Sequence, residues 1–183
     1  MTSFSVVRAR IAATTVADGP QRTTIEDLLR AARARLDRVE PEDAVAEQRD
    51  GALIVDTRAS DQRRDAGVIP GSLHIPRSVL EWRLDPESGY SNPHVEPGQR
   101  VIVFCAHGFS SSFAAVTLRD LGWWTATDMV GGYEGWKAAG LPTREVGVAD
   151  DAANGELPGM GGPAQPQEEG QATVEDMRTK GGV

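Results

Sequence analysis

The chain predicts an α/β fold built on a parallel sheet, and three observations carry that prediction. Two continuous apolar runs, Ala52-Leu53-Ile54-Val55 and Val101-Ile102-Val103-Phe104, lack the polar alternation of a half-exposed strand and suit strands buried on both faces. Segments with helical spacing stand between and around these runs, which is the alternation that builds such a sheet. The second run ends in Cys105-Ala106-His107-Gly108-Phe109-Ser110-Ser111-Ser112 and then opens into Phe113-Ala114-Ala115-Val116-Thr117-Leu118, a strand, tight loop and helix in succession.

The N-terminal stretch 1–22 has Arg8 and Arg10, no acid before Asp18 and no apolar core of a secretory signal, so it is expected to be a disordered leader on a cytoplasmic protein. Thr23 and Glu26 have capping-box spacing, and Ile25, Leu28, Leu29, Ala32 and Leu36 recur at helical intervals. This predicts an N-terminal helix within 23–38, with Arg30, Arg33 and Arg35 on a solvated face. Val39 is a short strand candidate. Pro41 suits the first turn of a helix that runs through Ala44, Val45 and Gln48 to Gly51.

The first apolar run ends in Asp56-Thr57-Arg58, and the polar segment Ser60 to Asp65 connects it to the turn Ile69-Pro70-Gly71. Leu73-His74-Ile75 is a short strand closed by Pro76, and Ser78 to Leu84 a short helix. Pro86, Gly89, Pro93 and Pro97 make Asp85 to Gln99 a long loop, placed as a lid over Cys105. The helix after the Cys loop ends at Leu121-Gly122. A last strand near 125–130 leads through Gly131-Gly132 into a helix over Tyr133 to Ala139, stopped by Gly140 and Pro142. From Thr143 to Val183 no aromatic residue occurs and eight acids face three basic residues, so 143–183 is expected to be a disordered tail.

Composition narrows the function. With 183 residues, 39% hydrophobic and 25% charged, the chain fits one ordinary domain with polar flanks. No stretch approaches the roughly 20 apolar residues of a membrane span. The net charge of −8 argues against non-specific binding to nucleic acid or anionic lipid, and one cysteine cannot close an internal disulfide.

That cysteine carries the chemistry. A lone cysteine is commonly a buried, inert hydrophobe. Cys105, however, falls at the carboxyl end of a strand, where open α/β sheets bind their ligands. There the loop N–H groups and the free N–H groups of the helix start can point at one sulfur and favour the thiolate, a nucleophile. Asp56 is expected to accept backbone bonds in the turn that follows it, and Trp82 and Trp136 to pack. A cysteine phosphatase needs Cys-x5-Arg, and Ser111 stands at the Arg position. Gly108-Phe109-Ser110-Ser111-Ser112 lacks the last Gly of a serine-hydrolase elbow, and no histidine follows His107. His74, His94, His107 and Cys105 have no zinc-ligand spacing, and no Gly-x-x-x-x-Gly-Lys loop occurs, so neither metal nor cofactor is expected.

Four motifs in order resemble the rhodanese-like domain family: Ile54-Val55-Asp56-Thr57-Arg58, the segment Gly67-Val68-Ile69-Pro70-Gly71-Ser72-Leu73-His74-Ile75-Pro76, the Cys105 loop, and Gly131-Gly132-Tyr133-Glu134-Gly135-Trp136 through Leu141-Pro142. The resemblance spans about 39–142. It implies a small rhodanese-like domain, a central parallel sheet flanked by helices, here with an extra N-terminal helix and the tail. It also implies sulfur transfer through a persulfide on Cys105, from a small anionic donor such as thiosulfate to a thiol or cyanide acceptor. Ala106, His107, Gly108, Phe109, Ser110 and Ser111 are then the substrate-binding loop. The family's loop often reads Cys-x-x-Gly-x-Arg-Ser, and Ser110 stands where that Arg would be; Val68 replaces the His of the second motif. Arg58 and Arg83, with His107 and Arg77, are the candidates to return the missing positive charge. The competing reading is a non-catalytic or sensing module of this family that binds anions or partners.

Overall fold

The computed structural model describes residues 22–147; the rest of the expected leader and of the expected tail lies outside the described residues. Four parallel strands, β1 (Leu53–Asp56), β2 (Leu73–His74), β3 (Val101–Phe104) and β4 (Thr127–Asp128), form one sheet in the order β2-β1-β3-β4. Val39 extends it beyond β4 as a parallel bridge to Met129, its N–H on the Asp128 carbonyl at 3.1 Å. The register sets Asp56 beside Phe104, so the turn after β1 and the Cys105 loop leave the sheet at the same level.

The two apolar runs alternate between the two faces of this sheet, as the strand period requires. Val55, Val101 and Val103 pack with Ile75, Leu80, Leu84, Ala114 and Leu118, under α4 (Leu80–Leu84) and α5 (Ser110–Asp120). Ile54, Ile102 and Phe104 pack on the other face with Ala44, Tyr133 and Trp136, from α2 (Pro41–Arg49) and α6 (Gly132–Ala138). Because both faces are covered, continuous hydrophobic runs were required where alternation would have left polar groups dry.

Several elements differ from expectation. The first helix, α1 (Ile25–Arg33), ends short of the expected 38 and is capped by Thr24, which accepts from the Asp27 N–H at 3.1 Å while Asp27 accepts from the Thr24 N–H at 3.3 Å. The capping box is therefore Thr24 with Asp27, not Thr23 with Glu26. Ile25 and Leu28 stay exposed; Ala32 and Leu36 are the buried members of the expected apolar face. Ser60–Ala66 is a helix, α3, where only a polar connection was expected. Its inward residue is an arginine: Arg63 is 1% exposed and pairs with Asp56, so no apolar period announces it. Leu80–Leu84 is preceded by a 3-10 turn over Arg77–Val79. Beyond Pro142 the backbone still pairs, with Arg144 and Val68 exchanging bonds of 2.8 and 3.0 Å.

Candidate active site

Cys105 follows β3 directly and is 8% exposed. Its loop is held from below by the start of α6: the Tyr133 N–H bonds the Cys105 carbonyl at 2.9 Å and the Glu134 N–H bonds the Ala106 carbonyl at 3.0 Å. This contact explains Gly131-Gly132. Gly132 has φ +59°, and a Cβ there would lie 2.3 Å from the Cys105 carbonyl oxygen and 2.6 Å from the Gly108 nitrogen. Only glycine permits both the left-handed backbone and so close an approach.

Above the loop the donors converge on sulfur. The Ser111 hydroxyl lies 3.4 Å from Cys105 Sγ. Burial pushes the thiol up, while hydrogen bonds from the Ser110 and Ser111 hydroxyls and the Ser111 and His107 N–H groups outweigh it and leave the thiol below its ordinary value. Ser110, at the position of the family's arginine, thus serves the sulfur. Thr57, Arg58 and Gln62 join Cys105, Ala106, His107, Phe109 and Ser110 around a cavity of about 240 Å³, room for a small molecule.

The other expected site residues are placed as follows. Gly108 is buried behind the loop, its carbonyl bound by Arg33 Nη2 at 2.9 Å, and Ser111 is fully buried on the sulfur. Arg58 lines the cavity, but its guanidinium is committed: it forms two bonds of 2.9 and 2.6 Å to the Asp56 carboxylate, one of 2.9 Å to the Gly67 carbonyl, and stacks 3.6 Å from the Tyr133 ring centroid. Asp56 also accepts the Arg58 N–H at 3.0 Å, the turn bond expected of it. Arg83 is not brought to the cavity; it bonds the Tyr90 carbonyl at 3.0 Å and braces the 85–99 loop. Arg77 pairs with Glu81. No residue of 85–99 lines the Cys105 cavity, so that loop is not its lid; Val95 packs instead against the α4 and α5 side of the sheet.

Sequence reasoning missed the layer behind the loop. Asp128 in β4 is fully buried and accepts from the Ser112 hydroxyl at 2.7 Å, the Ser111 hydroxyl at 3.3 Å, and Arg38 through Nε at 2.8 Å and Nη2 at 3.0 Å. An acid inside a buried strand was the available signal; nothing in the chain pointed to Arg38.

Fold and site together define a rhodanese-like domain with a cysteine poised in its loop. The family match covers residues 40–139, and the chain belongs to the Rhodanese-like domain family. Among curated relatives it is 48% identical over 95 residues to the thiosulfate sulfurtransferase GlpE of Actinobacillus succinogenes, 52% of this chain and 78% of that protein. It is 29% identical over 102 residues to the adenylyltransferase and sulfurtransferase MOCS3 of Arabidopsis thaliana, covering 51% of this chain but only 22% of that protein's length. A solved structure from Rhodopseudomonas palustris, of a protein of unknown function (RPA3614) described as a possible tyrosine phosphatase, is 32% identical with a TM-score of 0.62, over 69% of this chain and 100% of that one. The two curated relatives support a sulfurtransferase-like role. No helix among the described residues is long and apolar enough to cross a membrane.

Proposed function

We propose that the domain transfers sulfane sulfur through a persulfide on Cys105. The observation that carries this reading is the Cys105 environment: a thiol held below its ordinary value by four donors, at a strand end that opens on a small cavity. With thiosulfate as donor, the thiolate attacks the outer sulfur, an S–S bond forms to Sγ, and sulfite leaves with the electron pair of the bond that breaks. A thiolate or cyanide acceptor then attacks the outer persulfide sulfur, and the Cys105 thiolate leaves. Loop N–H groups hold the donor's charge, since Arg58 is committed to Asp56. The cytoplasm suits this chemistry because it keeps a lone thiol reduced.

Of two other readings, the site argues against the first and favours the second. Phosphatase chemistry, suggested by the description of the R. palustris structure, needs an arginine at 111, where Ser111 is buried against the sulfur. A binding or sensing module is favoured by the replacement of the loop arginine with Ser110. Intact mass after incubation with thiosulfate, 3-mercaptopyruvate or polysulfide tests the proposal. The expected result is a gain of one sulfur atom in the wild type and none in Cys105→Ser. No gain with any donor would leave the module reading in its place.

A further inference from the structure

Behind the Cys105 loop lies a buried chain of polar groups that sulfur transfer as written does not use. Ser111 carries one hydroxyl proton and faces two acceptors at nearly equal range, Cys105 Sγ at 3.4 Å and Asp128 Oδ2 at 3.3 Å. Asp128 Oδ2 is already served by shorter bonds, from the Ser112 hydroxyl at 2.7 Å and Arg38 Nη2 at 3.0 Å, and Arg38 Nε holds Oδ1 at 2.8 Å. The Ser111 bond is thus the weakest of those on that carboxylate and the one most readily released to the sulfur.

We propose that Arg38 is a positioning residue for Cys105: by pairing with Asp128 it offsets a buried carboxylate behind the loop and leaves the Ser111 hydroxyl free to donate to the thiolate. Arg38 lies outside the 40–139 family match, as does Arg33, which bonds the Gly108 carbonyl. The N-terminal segment thus braces, from behind, a loop that carries Ser110 in place of arginine, Arg33 on the Gly108 carbonyl and Arg38 offsetting Asp128. The other titratable or charged side chains around the loop are His107 on the loop itself, Arg33 on the Gly108 carbonyl, Arg58 and Arg63 paired with Asp56 beside it, and Glu134 at the start of α6.

The inference rests on Cys105 being the reacting group, and its test uses no sulfur donor. The rate of alkylation of Cys105 by iodoacetamide is measured against pH in the full chain, so a failure of sulfur transfer does not affect the readout. Arg38→Met exposes the sulfur to an uncompensated carboxylate, and the apparent pKa should rise by about one unit, about tenfold slower alkylation below it. Arg38→Lys should stay near wild type. Arg38→Met combined with Asp128→Asn removes both charges and should restore the wild-type profile, which a purely structural role for Arg38 would not do. Asp128→Asn alone, nearly isosteric, should shift the profile down, and this holds as the test should Arg38→Met fail to fold. An unmoved profile in Arg38→Met, a double variant no better than the single, or an upward shift in Asp128→Asn would overturn the proposal.

Discussion

Replacing Gly132 with alanine should both destabilise the domain and blunt Cys105, and its size can be worked from two glycines that share a backbone conformation. Gly132 and Gly140 have φ of +59° and +69°, so alanine at either takes the left-handed penalty of about 1–2 kcal/mol. At Gly140 nothing lies within 4 Å of the new Cβ, and the cost ends there. At Gly132 the Cβ meets the Cys105 carbonyl oxygen at 2.3 Å and the Gly108 nitrogen at 2.6 Å, both backbone atoms that cannot swing aside. Forced displacement of this kind adds roughly 1–3 kcal/mol. Gly132→Ala should therefore melt about 2–12 °C below Gly140→Ala, at about 2–4 °C per kcal/mol for a chain of this size. The displaced loop would also lose its seat on the Tyr133 and Glu134 N–H groups, so alkylation of Cys105 should move to higher pH. Thermal melts of the two variants, with alkylation profiles, test this. Equal melting temperatures, with a wild-type profile in Gly132→Ala, would refute the idea that the glycine pair exists to seat the Cys loop.

Three further outcomes are expected. Ser111→Ala removes a donor that favours the thiolate; because the thiol is held below its ordinary value, reactivity that persists in the wild type as pH falls should be lost at higher pH, by roughly one unit for a charge-assisted bond at the weak end of its range, as read by alkylation rates. Ser110→Arg should tighten thiosulfate binding about tenfold, and a folded variant with unchanged thiosulfate affinity would remove the missing arginine from the account of donor binding. Truncation after Pro142 breaks the two backbone bonds between Arg144 and Val68, so it should lower stability by about 2 kcal/mol relative to truncation after Gly147 in a thermal melt.

The buried strands, the Cys105 turn and the Gly131-Gly132 entry to the last helix were legible because their causes are local. A β-branched apolar run suits a strand covered on both faces wherever it lies, and a loop between such a run and a helical period places its cysteine at the end of a strand. Helix α3 was hidden because its inward side chain is Arg63, and the hydrophobic period that marks a helix cannot report a charged contact. The 85–99 loop showed its length in the sequence, but its packing against the α4 and α5 face rather than over the cysteine follows from how the sheet is covered. Sequence established that the loop lacks its arginine and that other arginines exist. Only the tertiary structure decided how they are used: Arg58 is taken by Asp56 two residues away, Arg83 by the Tyr90 carbonyl, and Arg38 reaches the back of the site through Asp128, 90 residues along the chain. A charge is written in the sequence, but what it does depends on which opposite charge the fold buries beside it.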